Sequence, residues 1–322
     1  MNRGTDVSEA AAVLAAGGLV AFPTETVYGL GADASRADAV AKIFAAKGRP
    51  SGHPLIVHLP PEASLDGWAA SVPDVARRLA AAAWPGPLTI ILPRGPRVSL
   101  ATTGGAETVG LRMPAHAMAQ ALLRAFGGGV AAPSANRFGA VSPTTADHVV
   151  SDLGERVDYV LDGGACDVGV ESTIVDLSRG RAVLLRPGGL PREMIEEITG
   201  PLATPDAQAP AAPGTLASHY APRARVVAVA PDDVPAAVAR SVGKVAVLAP
   251  AAAFARWPAL PATAHPLPDD VAAMARGLYA ALRDLDAAGI DVVIAALPPA
   301  AGLGEAVGDR LLRAAGPRRS ES

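Results

Sequence analysis

The chain has 322 residues, of which 50% are hydrophobic and 18% are charged, and its formal net charge is −3. This composition predicts a folded chain with a large buried core, long enough for two domains, and it excludes extensive disorder. The small net charge provides no general attraction to nucleic acid or to an anionic membrane, so any anion site has to be built locally.

Cysteine content and hydropathy indicate where the chain works. Cys166 is the only cysteine, which excludes intramolecular disulfides and cysteine-based zinc clusters and favours a reducing cytoplasm. The apolar run at 10–22 is not typical of a signal peptide, because Asp6 and Glu9 stand where positive charge belongs and two glycines divide the run. Pro and Gly interrupt every apolar stretch of membrane length. We therefore expect a soluble, cytoplasmic protein without direct membrane contact.

The first 200 residues alternate strand-like and helical patterns. The predicted helices cover 8–16, 37–47, 75–83, 118–126, 145–151 and 192–198. The predicted strands cover 19–22, 55–59, 88–92, 108–112, 130–132, 157–161, 172–177 and 182–185. Because strands outnumber the helices between them, a mixed α/β or α+β sheet is favoured over a strict βαβ repeat.

The composition changes after residue 200. Residues 201–222 are rich in Pro, Ala and small polar side chains and predict an extended linker, yet they contain His219-Tyr220, which a pure spacer does not need. Residues 223–322 predict a small doubly wound, Rossmann-like α/β domain. Its strands are predicted at 225–229, 244–248 and 290–296, and its helices at 234–241, 270–288 and 305–315.

The loop after the second helix concentrates positive charge. Lys47 is one of three lysines in the chain, and Arg49 follows it between two glycines and two prolines in KGRPSGHPL. Such a stiffened loop suits a polyphosphate or a pair of carboxylates. The alternative is an ordinary helix end, with cations near the negative dipole end and Gly48 as a left-handed cap.

Further polar groups stand at predicted strand ends. Arg112 closes an apolar strand just before a proline, and its fork can hold a carboxylate with two hydrogen bonds; an ion pair at a sheet edge is the alternative. Residues 131–136 (AAPSAN), 171–173 (EST) and Arg186 repeat the pattern of polar groups at strand boundaries. One sheet could bring these side chains and the basic loop together.

Other sites are weaker. Residues 29–34 (GLGADA) imitate a dinucleotide fingerprint, but the acid expected roughly 20 residues later is missing, since Glu62 lies in a proline-broken loop. No Walker A motif occurs. His58 fits a satisfied, half-buried histidine better than a metal ligand, because no other histidine is spaced to join it, and no Ser-His-Asp arrangement stands out.

Taken together, these motifs resemble a known family. Residues 23–31, 47–50, 108–114, 131–136, 171–173 and 186–188 occur in the order found in the YrdC-like domain of L-threonylcarbamoyladenylate synthases. The linker ending at 219–222 (HYAP), with an α/β unit behind it, resembles the two-domain type. The resemblance implies a twisted mixed sheet with a concave basic cavity in residues 1–200, a linker that acts as a lid, and a smaller C-terminal domain.

The resemblance also implies an activity. Family members form threonylcarbamoyl-AMP and pyrophosphate from L-threonine, bicarbonate and ATP with Mg²⁺, for threonylcarbamoylation of the tRNA adenosine beside the anticodon by downstream transfer proteins. A metal site made of protein ligands is not expected, since Mg²⁺ would come with the ATP phosphates. Direct tRNA binding is left open.

Site residues follow from the resemblance by motif. The threonine pocket would comprise Thr26, His58, Arg112, Ala132 and Ser172, with Arg112 on the carboxylate. The nucleotide would be held by Lys47, Arg49, His53, Thr108, Ser134, Ser142, Arg186 and Tyr220, with Lys47 and Arg49 as the catalytic pair. Two positions depart from the family: His53 stands where Asn is frequent, and Thr215 replaces a usual Met.

Three rival functions remain at this stage. A non-catalytic RNA-binding module would use the same basic concavity, although the net charge and the 4% aromatic content argue against it. A carbamoyl-transfer maturation factor would need cysteine-rich zinc motifs. A nicotinamide dehydrogenase would depend on the weak glycine fingerprint.

Overall fold

Two sheets organise the chain, and each belongs to its own compact unit. The computed structural model describes residues 1–317. The first unit comprises 1–138, 142–167 and 171–215, and the second comprises 139–141, 168–170 and the chain from 216 onward.

The first unit contains a mixed sheet of ten strands in its described part. Its strands are β1 Asn2–Gly4, β2 Val20–Phe22, β3 Gly29–Asp33, β4 Ile56–His58, β5 Leu88–Pro93, β6 Thr108–Arg112, β7 Val130–Ala131, β8 Tyr159–Leu161, β9 Thr173–Asp176 and β10 Val183–Arg186. Their order across the sheet is β1-β8-β2-β3-β7-β4-β6-β5-β9-β10.

Seven α-helices accompany this sheet within the first unit. They are α1 Val7–Ala15, α2 Ala37–Lys47, α3 Asp74–Ala83, α4 Leu100–Thr103, α5 Ala117–Phe126, α6 Ala146–Leu153 and α7 Arg192–Thr199. Local signals set their ends: Asp6 caps the start of α1 by accepting from the N–H groups of Ser8 and Glu9, and Gly48 ends α2 with φ +63°. This confirms the cap predicted for Gly48.

The alternation of side chains along the strands gives the sheet two different faces. Val57 and Leu111 point into the large core that the helices cover. Ile56, Ile91 and Ile174 form a smaller apolar cluster on the opposite face. That second face carries the polar residues of interest.

The second unit has a parallel sheet in the order β11-β14-β12-β13, as far as residue 317. Its elements are β11 Arg225–Val229, α8 Val234–Ala239, β12 Val245–Pro250, β13 Thr263–Leu267, α9 Val271–Ala287, β14 Val292–Ala296 and α10 Leu303–Ala314. The predicted α/β class of both parts is confirmed. The end of the predicted C-terminal domain, 318–322, lies outside the described residues.

Several elements differ from prediction. The fingerprint-like segment forms strand β3, which pairs antiparallel with β2 and β7; it is not a strand-to-helix turn, so it cannot cradle a pyrophosphate as a dinucleotide fingerprint does. The pattern missed β1 because it has three residues, and β13 because it is an exposed edge strand containing Pro266.

The predicted linker is divided between the two units, with 201–215 assigned to the first. Ala203 bridges to Val183 of β10, Arg186 donates to the carbonyl of Pro213 at 2.9 Å, and Ala212 joins the smaller apolar cluster. These contacts hold the segment against the sheet, so the compact first unit extends past residue 200, and the domain boundary at residue 200 stays a prediction. No helix among residues 1–317 has the length and apolar character needed to cross a membrane.

Candidate active site

A row of residues crosses five adjacent strands on the sheet face opposite the large core. His58 of β4 pairs with Arg112 of β6. Ile90 pairs with Leu111, which sets Thr89 of β5 beside Arg112. Ile174 of β9 then pairs with Thr89 on one side and with Arg186 of β10 on the other. Because paired residues share a face, three predicted site residues lie along one line.

Arg112 is held where it can receive an anion. Arg112 is 4% exposed, and its Nε donates to the carbonyl of Gly86 at 3.4 Å. Its Nη2 lies 2.8 Å from Oε1 of Glu25, but neither atom makes a hydrogen bond to any described residue. The contact is therefore an ion pair by distance without hydrogen-bond alignment. The predicted alternative, an ion pair at a sheet edge, is wrong in its position, because β6 lies inside the sheet.

His58 stands beside Arg112 and is neutral. Burial, and next the charge of Arg112, lower the pKa of His58 to about 3. Its Nδ1 is buried and has no hydrogen-bond partner among residues 1–317, and its ring meets Phe22 edge-on at 5.8 Å. The histidine predicted as half-buried and satisfied is thus fully buried with one unsatisfied nitrogen.

Ser172 and Arg186 form the other end of the row. Thr89 and Ser172 share a hydrogen bond of 2.8 Å between their hydroxyl oxygens. Arg186 donates to the carbonyl of Ser172 from Nε at 3.1 Å and from Nη2 at 2.8 Å. Arg186 is the last residue of β10, whereas the prediction placed it just after the strand.

A narrow cleft opens over the same face. It is lined by Thr108, Gly110, Thr89 and Pro213, among others, and its volume is about 10 Å³, so the segment that contains Pro213 nearly fills it. Thr108, Gly110 and Arg112 follow one another at every second position of β6 and therefore point the same way. Gly110 leaves room between the other two, since a Cβ at this position would lie 3.1 Å from Thr89 Cγ2.

Lys47 is buried against the loop that follows β7. Its Nζ donates to the carbonyls of Ser134 and Asn136, each at 2.5 Å, and its residue is 4% exposed. Burial, and next the charge of Arg49, push the pKa of Lys47 well below its ordinary value. An incoming phosphate would remove this penalty on the charged form.

Arg49 and His53 meet at one aromatic ring. The Arg49 guanidinium lies 5.5 Å from the ring centroid of Phe138, and the His53 ring meets the same phenyl edge-on at 5.5 Å. Arg49 also donates to the carbonyl of Pro54 at 3.1 Å, two residues before β4. The basic loop is therefore tied to a strand of the polar row.

The remaining predicted residues of the first unit lie near these groups. Thr26 is buried, shares a 2.8 Å hydrogen bond with Thr24, and follows Glu25 in the chain. Ala132 donates its N–H to Ile56 of β4 at 2.9 Å and stands two residues before Ser134. Ser142 donates to Glu171 at 2.6 Å, directly before Ser172.

Tyr220 belongs to the second unit. Its backbone has φ +60°, a left-handed conformation uncommon outside glycine, and its residue is 1% exposed. Its ring stacks on Tyr279 at 6.0 Å, and the Arg310 guanidinium lies 4.9 Å from the ring centroid. Contact between Tyr220 and a nucleotide stays a prediction.

Two acids at the site, Glu25 and Glu171, received no predicted role, although Glu171 belongs to the EST motif at 171–173. Both are buried, and they face Arg112 and Ser142 respectively. The signal for Glu25 was available: one carboxylate stands in a stretch of otherwise apolar and hydroxyl residues, which indicates a buried partner of opposite charge.

The residue types at the site suit a small zwitterion at Arg112 and a polyphosphate at the basic loop. Arg112 presents a fork to a carboxylate, while Lys47 and Arg49 supply cations on an adjoining loop. Among residues 1–317, no group of three or more His, Cys, Asp or Glu side chains is arranged to hold a metal ion.

Two family models and several known proteins are similar to this chain. Residues 12–188 match the Sua5/YciO/YrdC family model, described as telomere recombination, and residues 190–316 match the model of the threonylcarbamoyl-AMP synthase C-terminal domain. The threonylcarbamoyl-AMP synthase of Pyrococcus abyssi is 42% identical over 96% of this chain and 94% of its own length. That of Bacillus subtilis is 41% identical over 97% and 93%.

A solved structure extends the likeness to three dimensions. Pyrococcus abyssi Sua5 complexed with L-threonine matches with a TM-score of 0.89 and 40% identity, covering 98% of this chain and 96% of that one. The similarity in sequence and the similarity in fold to these relatives therefore both extend over nearly the whole chain. The chain belongs to the threonylcarbamoyl-AMP synthase family, in its two-domain, Sua5 type.

Proposed function

We propose that this chain joins L-threonine, bicarbonate and ATP into threonylcarbamoyl-AMP and releases pyrophosphate. The observation that carries the proposal is the row on the sheet, where buried Arg112 and Arg186 share one face and the loop of Lys47 and Arg49 adjoins it. Relatives of this name match nearly the full chain, which supports the same reaction here.

The amino acid would occupy the Arg112 end of the row. The guanidinium would bind the threonine carboxylate, and neutral His58 would offer its unsatisfied nitrogen to a polar group. Thr26 and Ser172 add hydroxyl groups, and the small side chain of Ala132 leaves room for the backbone to approach.

The nucleotide would lie across the basic loop and the far end of the row. Lys47 and Arg49 would hold the phosphates and, as the catalytic pair, stabilise the charge that develops on the leaving pyrophosphate. His53, Thr108, Ser134, Ser142 and Arg186 would contact the nucleotide, and Tyr220 would cover it as part of a lid. A lid has a chemical purpose, because water hydrolyses a mixed anhydride.

The reaction then needs positioning more than covalent help from the protein. The threonine amine and bicarbonate form an N-carboxylate, and its oxygen attacks the α-phosphorus of ATP. Mg²⁺ would arrive bound to ATP and neutralise phosphate charge together with Lys47 and Arg49.

The product would supply threonylcarbamoyl transfer to the tRNA adenosine beside the anticodon. This step belongs to downstream transfer proteins. We place the chain and those proteins in the cytoplasm. Unpaired Cys166 fits that reducing setting.

Mass spectrometry of the reaction mixture tests the proposal. The purified chain is incubated with ATP, Mg²⁺, bicarbonate and L-threonine, and the adenylate and pyrophosphate are quantified, with each substrate omitted in turn. Both products are expected only in the complete mixture. Salt-sensitive RNA binding with no threonine-dependent pyrophosphate would favour the RNA-binding alternative, and NAD binding in place of ATP would favour a dehydrogenase.

A further inference from the structure

Glu25 is a buried carboxylate beside the group that would bind the substrate carboxylate. Its side chain is 9% exposed and that of Arg112 is 5% exposed. Oε2 of Glu25 accepts the backbone N–H of Ala115 at 3.1 Å, which fixes the carboxylate in place. Oε1 faces Nη2 of Arg112 at 2.8 Å.

This contact is an ion pair by distance, but it lacks the hydrogen-bond alignment of a carboxylate that braces an arginine. A carboxylate that braces an arginine usually accepts two parallel hydrogen bonds from the fork. Here Oε1 of Glu25 and Nη2 of Arg112 each lack a hydrogen bond to any residue in 1–317, and Nδ1 of neighbouring His58 is a third buried atom in the same condition. Buried polar atoms rarely stay unsatisfied without a purpose. An acceptor, a donor and a neutral imidazole together suit a ligand with both an anionic and a cationic end.

We infer that Glu25 receives the α-ammonium group of the amino acid whose carboxylate Arg112 binds, and that it accepts a proton from that group before the carbamate forms. The inference rests on the proposed function, because it assigns an acceptor to the amino acid of that reaction. An α-amino acid carries its ammonium and carboxylate groups on the same carbon, so the adjacent carboxylate of Glu25 and guanidinium of Arg112 match these two groups in charge.

One N–H bond of the ammonium group breaks, the nitrogen keeps the electron pair, and an O–H bond forms on Oε1 of Glu25. The neutral amine then attacks bicarbonate, giving the N-carboxylate and water. Glu25 returns the proton to solvent when the site opens. No oxidant or further reactant is needed.

The surrounding groups leave Glu25 as the acceptor. Arg112 is the cation that faces it. Burial raises the pKa of the Cys166 thiol to about 12, with smaller effects from the charges of Glu25 and Asp167 that also raise it. His58 has its pKa lowered to about 3 by burial and then by Arg112. Neither group carries charge near neutral pH, so Glu25 is the acidic side chain that an ammonium group meets there.

Two ligands that differ in the amino group test the inference. Binding of L-threonine and of 3-hydroxybutanoate, which is threonine without its amino group, is measured calorimetrically on the wild type, Glu25→Gln and Glu25→Asp. Glu62→Gln is the matched control, because Glu62 also pairs with an arginine, Arg124, but on the surface. Thermal melts establish that each variant is folded.

The expected result is a change in selectivity. The wild type and Glu62→Gln should prefer L-threonine, and Glu25→Gln should lose about 10- to 100-fold of that preference, as expected for a lost charge-assisted hydrogen bond. Glu25→Asp should keep part of it. Turnover of Glu25→Gln should also rise about tenfold per pH unit below the pKa of the substrate amine, because only free amine then reacts.

Other outcomes separate the two proposals. If Glu25→Gln weakens both ligands equally, Glu25 only braces Arg112 and the inference is overturned while the proposed function stands. If Glu25→Gln fails to fold while Glu25→Asp is folded, the inference is also overturned when Glu25→Asp shows no preference for L-threonine over 3-hydroxybutanoate. If the wild type binds no L-threonine, the proposed function fails together with the inference.

Discussion

Replacing Arg112 with alanine should destabilise the first unit strongly, because Glu25 would be left as a buried anion without its cation. At 2.8 Å the pair attracts by about 6 kcal/mol in a medium of effective dielectric constant about 20. Desolvation of both ions offsets much of that attraction in the intact protein. Removing one partner, however, leaves the other still buried, and the expected loss is about 3–5 kcal/mol in the free energy of unfolding.

Tryptophan fluorescence can follow this unit alone. Of the three tryptophans, Trp68 and Trp84 belong to the first unit and Trp257 to the second. In a Trp257→Phe background, urea unfolding monitored by emission therefore reports on the unit that contains the ion pair. Transitions by fluorescence and by circular dichroism are compared, because two units need not unfold together.

Two further variants make the test specific. Arg112→Ala combined with Glu25→Gln should recover at least half of the lost stability, since the uncompensated charge is gone. Arg124→Ala, which breaks the exposed pair with Glu62, should leave the midpoint unchanged. A double variant no more stable than Arg112→Ala would refute the reasoning, because lost packing rather than a stranded charge would then explain the effect.

Three further outcomes are expected. Lys47→Ala should lower the rate of pyrophosphate release about 100- to 1,000-fold, whereas Lys42→Ala on the same helix should not; equal rates would refute the role of Lys47. At pH 5 the free energy of unfolding should be about 2 kcal/mol lower than at pH 7, because the pKa of His58 is near 6.5 in the unfolded chain and about 3 in the folded one. His58→Gln should lack this loss when urea unfolding is measured at the two pH values. An equal loss in the variant and in the wild type would contradict the role of His58. Arg186→Ala should speed thermolysin cleavage within 201–215, as its bond to Pro213 is lost; unchanged cleavage would exclude that anchor.

Much of the fold followed from hydrophobic periodicity. Helix 37–47 and strand 108–112 have the predicted bounds, because buried residues recur at helical spacing in the first and an arginine before a proline ends the second. β3 was not predicted as a strand, because its glycines suit both a phosphate-binding turn and a strand that packs closely on its neighbours. Only the pairing of β3 with β2 and with β7, which lies about 100 residues later in the chain, decides between them.

The candidate site was only partly predictable for the same reason. Arg112, Ser172 and Arg186 could be identified by residue type at strand ends, but the order β4-β6-β5-β9-β10 that aligns them depends on long-range pairing. The segment 201–215 looked like a spacer because proline and alanine carry no period. Its contacts with β10 become visible only in three dimensions.

The row of residues that crosses strands β4 to β10 has a consequence for biosynthesis. His58 lies on the fourth strand to leave the ribosome and Arg186 on the tenth, so every intermediate length of nascent chain holds an incomplete pocket. Contacts this remote in sequence form late, since closing the intervening loop is entropically unfavourable until the strands between them are in place. Ligand binding should therefore appear abruptly as the last strand joins, and a chain stalled before it should leave both substrates unbound.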